Sequence, residues 1–106
     1  MKIPTPPKNL ERSGRRVWKT VLSEYELDGS AREVLAVACL ALDRAEGARE
    51  LIAEHGILLV DRFGQQKANP AAAIERDARG QFLSAMRQLG LDLEPIFDGP
   101  GRPAGR

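Results

Sequence analysis

Apolar residues recur at helical spacing in three separate stretches of the chain. Val17, Trp18, Val21, Leu22 and Tyr25 fall at i, i+1, i+4, i+5 and i+8, which makes one apolar face and predicts a first helix over 13–25. Ser13 is the expected N-cap, and Gly14 weakens the start of this helix. A turn follows at Leu27-Asp28-Gly29-Ser30. Either Asp28 or Ser30 can cap the next helix, with Glu33 three residues beyond Ser30 as in a capping box. The second stripe is long: Val34, Ala38, Ala41, Ala45, Ala48 and Ile52 alternate steps of four and three, and Leu35, Leu42 and Leu51 broaden it. This predicts a helix over 31–54. Gly47, inside the pattern, is expected to mark close packing or a slight bend.

His55-Gly56 ends that helix, with Gly56 in the position after the last turn that favours glycine. Ile57 to Val60 is a β-prone run, Phe63-Gly64-Gln65 supplies a turn, and Gln66 to Ala68 returns, so a small hairpin is predicted near 57–68. Two strands alone are marginal in water, so this hairpin is expected to pack on the helices or on a neighbouring subunit. Asn69-Pro70 is the clearest boundary. Asn69 can cap, and Pro70 has the fixed φ and missing amide suited to a first helical position. Ile74, Ala78, Phe82, Ala85, Met86 and Leu89 then share one face of a third helix, with Gly80 inside it and Gly90 closing it.

The predicted fold is mainly α: helix, long helix, short β-hairpin, helix. An extended, basic, proline-containing arm over 1–12 precedes a single helical domain over 13–95, and a flexible Gly/Pro/Arg tail over 96–106 follows. A chain of 106 residues suits one modest domain. Small helical domains of this kind often gain stability by association. Trp18, Leu42, Ala45, Phe82 and Met86 are the expected core or oligomer-interface residues. Trp18 fits the core better than base stacking, because it shares its spacing with Val21 and Leu22.

Composition narrows the function. Cys39 is the only cysteine and His55 the only histidine, which excludes an intramolecular disulfide and a multi-thiol metal site. Cys39 adjoins the apolar stripe and reads as a small buried side chain. His55 suits the negative end of a helix dipole. Glu50, Glu54 and His55 do not share a side of the helix end, and Asp92 and Glu94 read as a solvated segment. No metal, no cofactor and no catalytic residue is expected. There is no phosphate-binding loop and no nucleophile elbow. The start of the chain lacks the apolar core of a signal peptide and no run is long enough to span a bilayer, so bacterial cytoplasm and no membrane partner are expected.

The formal charge of +1 does not point to nucleic acid by itself, but local clustering does. Lys8, Arg12, Arg15, Arg16 and Lys19 fall within twelve residues, interrupted only by Glu11. This basic stretch is the candidate phosphate-contacting surface. Arg62 and Lys67 on the hairpin form a second candidate, and Arg102 and Arg106 add charge to the tail.

Taken in order, several pieces resemble the phage terminase small-subunit family, in the group of the HK97-type tailed phages. They are Pro7-x-x-Leu10, Arg16-Val17-Trp18, Tyr25-x-Leu27, the Ala-rich helix with Cys39, the Gly56 turn, the hairpin with Gly64, Asn69-Pro70, and Leu89-Gly90-Leu91 before Pro95. The resemblance covers 7–95. It implies a subunit of a ring-like homo-oligomer that recognises the packaging start on double-stranded phage DNA. It also implies recruitment and regulation of a large subunit that carries the ATPase and nuclease activities. The family supplies no DNA-reading residue to carry across, so the basic cluster rests on charge alone. Two other readings stay open: a helical protein-interaction adaptor that does not touch DNA, and a small transcriptional regulator. The second suffers from the hairpin standing where a helix-turn-helix needs a short turn.

Overall fold

The computed structural model describes residues 2–91 and contains three helices and one hairpin: α1 (Arg12–Glu24), α2 (Gly29–His55), β1 (Leu58–Val60), β2 (Gln66–Ala68) and α3 (Pro70–Leu89). The expected tail over 96–106, with Asp92, Glu94 and Pro95 before it, lies outside the described residues.

Each boundary has a local cause. The Asp28 carboxylate caps α2 by accepting from the Ala31 amide at 2.8 Å, so the helix starts at Gly29 and Ser30 becomes its second residue rather than its cap. Gly56 closes α2 at φ 88°, a conformation that L side chains rarely adopt. Asn69 caps α3 by accepting from the Ala71 amide at 3.0 Å, and Pro70 follows at the first helical position. Asn69 also ties the hairpin base to both helices: its Nδ2 donates to the Gly56 carbonyl at 2.8 Å, and its backbone N–H donates to Ile57 O at 2.8 Å.

Ser13 does not cap α1. The cap position belongs to Glu11, whose side chain makes no capping bond, and Ser13 lies within the first turn. Tyr25 leaves the helix with extended backbone. The free amides at the start of α1 are satisfied from a distance: Asp43, on α2, accepts from Glu11 N–H and Gly14 N–H, each at 2.6 Å. The close approach falls on Gly14. A Cβ there would collide with Asp43 Oδ2 and would lie 2.8 Å from the Cys39 carbonyl. Gly47, where close packing or a bend was expected, has open space: a Cβ would meet nothing within 4 Å, and α2 runs through it unbroken.

Helices α2 and α3 are antiparallel, as the contacts Arg44–Gln81 and Glu46–Arg79 demonstrate by running in opposite directions along the two segments. Their alanines, Ala38, Ala41, Ala45 and Ala48 against Ala71, Ala78 and Ala85, are buried. Side chains this small let two helix backbones lie close together. Val17, Trp18, Val21 and Leu22 of α1 complete a single core with Leu35, Cys39, Leu42, Phe82 and Met86. The N-terminal arm, expected to be extended, is held down: Leu10 is buried in the core and the Trp18 indole N–H donates to the Pro4 carbonyl at 2.9 Å.

The apolar stripes are narrower than their spacing suggested. Leu51 remains 48 % exposed and Ile74 46 % exposed, because each sits at the edge of its helix's buried arc. The hairpin pairs Leu58 with Ala68, Leu59 with Lys67 and Val60 with Gln66. It does not bury its apolar residues on the helices: Ile57, Leu58, Val60 and Phe63 are all exposed.

Candidate nucleic-acid interface

Arg12, Arg15, Arg16 and Lys19 stand at i, i+3, i+4 and i+7 along α1, so one helix face presents all four cations. The opposite face is the buried one, carrying Gly14, Val17, Trp18, Val21 and Leu22. All four cations are exposed, as is Lys8 on the segment before the helix. Among the described residues, none of the five lies within ion-pairing distance of a carboxylate. The only acid within α1 is Glu24, its last residue.

This arrangement runs against local electrostatics. Cations near a helix N-terminus face the positive end of its dipole, where acids are preferred, and the first turn of α1 contains no acid. Asp43 offsets part of that penalty by placing a carboxylate at the start of the helix from outside it. It also locks α1 onto α2 and so fixes the direction in which the cationic face points.

Arg32, Arg44 and Arg87 are likewise in no ion pair among the described residues, whereas several other cations are paired with carboxylates. Arg79 bridges Glu46 at 3.1 Å and Glu75 at 3.3 Å, Arg49 meets Glu46 at 3.2 Å, and Arg76 meets Asp77 at 3.1 Å. The Arg79 guanidinium holds the Glu46 carboxyl below the ordinary carboxylate range, with Arg49 adding to the effect. On the hairpin, Lys67 lies 3.5 Å from Asp61, and the Arg62 guanidinium stacks over Phe63 at 5.1 Å. Asp61 is held below its usual value chiefly by the Gln65 N–H, and then by the Phe63 N–H and Lys67. The second candidate surface, Arg62 and Lys67, is therefore partly committed within the hairpin.

Burial and the nearby Asp43 charge push the Cys39 thiol up to about 12, so it stays protonated and unreactive near neutrality. His55 sits beside Glu54 at 3.5 Å at the end of α2. Among the described residues no cluster of three His, Cys, Asp or Glu side chains could hold a metal ion, and no helix is long and apolar enough to cross a membrane.

Of the residues singled out from the sequence, the structure brings Arg12, Arg15, Arg16 and Lys19 onto one face, with Lys8 on the preceding segment. Trp18, Leu42, Ala45, Phe82 and Met86 are buried within the single chain. Asp43 escaped sequence reasoning. Its only trace was indirect: a glycine at position 14 in a segment otherwise patterned as a helix.

The fold thus defines a small three-helix protein with an exposed hairpin and a cationic helix face that forms no ion pair among the described residues. The family model for the phage terminase small subunit matches residues 14–94, and the chain belongs to that family. The match concerns the small subunit as such and does not extend to the HK97-type grouping. Among curated proteins and solved structures, none matches the chain.

Proposed function

We propose that this terminase small subunit is a non-catalytic DNA-recognition and regulatory component of the viral packaging motor, acting in the cytoplasm of the bacterial host. It binds the packaging start on double-stranded phage DNA through Lys8, Arg12, Arg15, Arg16 and Lys19, recruits the large subunit, and works as a closed homo-oligomeric ring. The observation that supports DNA contact is the unpaired cationic face of α1. Among the described residues none of the five is ion-paired, and Arg12 and Arg15 stand in the first turn of α1, where the dipole disfavours cations.

Phosphate contacts release counterions, so binding should weaken steeply with salt, by a slope of roughly −0.9 per neutralised phosphate in a log–log plot. The test is a DNA titration over a salt series, comparing the natural chain with one in which all five residues are alanine. Loss of affinity together with a shallower slope supports the assignment. Unchanged affinity rejects this surface. The rival reading, an adaptor that binds only protein, draws support from the exposed apolar hairpin. It would prevail if the chain bound the large subunit yet had no affinity for DNA at low salt.

A further inference from the structure

The N-terminal arm lies on the helices as a peptide ligand lies in a site. Ile3 packs against the core, and the Pro4 carbonyl accepts the Trp18 indole N–H at 2.9 Å. Pro4, Pro6 and Pro7 are half-buried, and a turn at Lys8 and Asn9 then leads the chain back into α1 through the buried Leu10. Residues 2–7 belong to no helix or strand. Proline fixes its own φ and turns the residue before it away from helical backbone, so every residue from Ile3 to Pro7 is biased towards an extended path.

Prolines have no N–H to donate. A protein therefore recognises an extended proline segment by offering a donor to its carbonyls and an aromatic or apolar surface to its rings. Trp18 supplies the donor, and it shares one groove with Pro4 to Pro7 and with Ala36 and Leu40 of α2. Pro4 and Pro7 stand in the Pro-x-x-Pro spacing that such sites read.

The arm does not fill this groove. A space of about 520 Å³ remains beside it, and Leu40 is 38 % exposed there. Arg32 and Glu33 also line the space, and their opposite charges favour neither an acidic nor a basic ligand. Selection rests on shape and on the carbonyl acceptor. When the arm leaves, the indole N–H turns to water, so no buried donor is stranded and the cost is the exposed ring.

We propose that the groove around Trp18 is a recognition site for extended Pro-x-x-Pro segments, filled in cis by the chain's own arm, and that a proline segment of a partner protein takes the arm's place. The arm acts as a tethered competitor. A short tether gives it an effective concentration on the order of millimolar, which an incoming segment must match or offset by tighter binding. The site depends neither on DNA binding by α1 nor on association between copies.

Trp18 is the only tryptophan, so its fluorescence reports the site. The probe is a synthetic peptide of the arm, Lys2 to Lys8, with a control peptide in which its three prolines are glycine. In the full chain, Pro4→Gly, Pro6→Gly and Pro7→Gly together should loosen the arm. Emission should move to longer wavelength while circular dichroism stays that of the natural chain. The proline peptide should restore the natural emission saturably, at millimolar concentration or below, and the glycine peptide should not. The natural chain supplies a second measurement that needs no substitution. Its Ile3 and Thr5 backbone resonances should move to random-coil positions as the proline peptide is added, half-way at the effective concentration of the tether. A loosened variant that the proline peptide does not restore, equal action of the two peptides, or arm resonances unmoved at ~10 mM peptide overturns the site. Natural emission that shifts on dilution of the protein means that arms are exchanged between copies, and it overturns the seat in cis.

Discussion

The Asp43 carboxylate of α2 accepts the backbone N–H of Gly14 on α1 at 2.6 Å, a bond possible only because Gly14 has no side chain. Two residues 29 positions apart thereby set how the cationic helix sits on the rest of the molecule. A Cβ at position 14 would strike the carboxylate and press on the Cys39 carbonyl, and the latter is backbone that cannot move aside alone. Gly14→Ala should destabilise the chain by roughly 1–3 kcal/mol, as overpacking does. Gly47→Ala, in open space on a continuous helix, should do the opposite, by up to ~1 kcal/mol. Urea denaturation of the two variants checks both signs, and a similar effect of the two substitutions would refute the account of Gly14.

Removing the carboxylate while keeping the glycine isolates the cap. Asp43→Ala leaves the Glu11 and Gly14 amides without their acceptor and should cost about 0.5–2 kcal/mol. Asp43→Asn keeps one acceptor oxygen where the carboxylate uses two and turns its NH2 towards the other amide, so it should recover no more than part of that. Amide hydrogen exchange should rise at both Glu11 and Gly14 in the alanine variant, whereas no more than one of the two should stay protected in the asparagine variant.

Asn69 has two tasks that substitution can separate. Its side-chain oxygen caps α3, and its Nδ2 donates to Gly56 O. Asn69→Asp keeps the capping oxygen but sets a second oxygen against the Gly56 carbonyl, whereas Asn69→Ala loses both bonds and introduces no repulsion. Thermal unfolding should rank the natural chain above both variants, with Ala losing about 1–2 kcal/mol. An alanine variant as stable as the natural chain would show that the cap contributes nothing.

Cys39 gives a prediction at the alkaline end. Its folded-state value of about 12 lies above the ordinary thiol value of 9.0. A group whose value is raised on folding contributes stability below its unfolded value, and that contribution is lost as pH rises from 9 towards 12. Stability should therefore decline above pH 9 in the natural chain and decline less in Cys39→Ala. At pH 8 the native thiol should react with a disulfide reagent only as fast as the protein opens. Fast reaction without unfolding would mean that the thiol is accessible.

Glu46 acts at the acidic end with the opposite sign. Its carboxyl value is lowered in the folded state by Arg79, so its contribution is present above the unfolded value of 4.5 and is lost as pH falls through the lower folded value. Both partners are partly exposed, so the effect should be no more than about 1 kcal/mol. Glu46→Gln should flatten that part of the acid limb of a stability–pH profile. A limb unchanged by the substitution would rule the pair out as a contributor.

The elements were legible in the sequence because their signals are local. A 3.6-residue apolar period and strong boundary residues, Asp28, Gly56, Asn69-Pro70 and Gly90, fix where helices begin and end through bonds spanning only a few positions. The cationic cluster was legible for the same reason, since helical spacing converts Arg12, Arg15, Arg16 and Lys19 into one face. What the tertiary structure alone decided is which surfaces meet. Periodicity marks Leu51 and Ile74 as apolar, but only the antiparallel approach of α2 and α3 leaves them at the margin of the core. Glycine reads alike at positions 14, 47 and 80. Only packing gives the first a neighbouring carboxylate, leaves the second in open space and sets the third in a groove, because a contact across tens of residues depends on how helices are placed and leaves no mark in the local pattern.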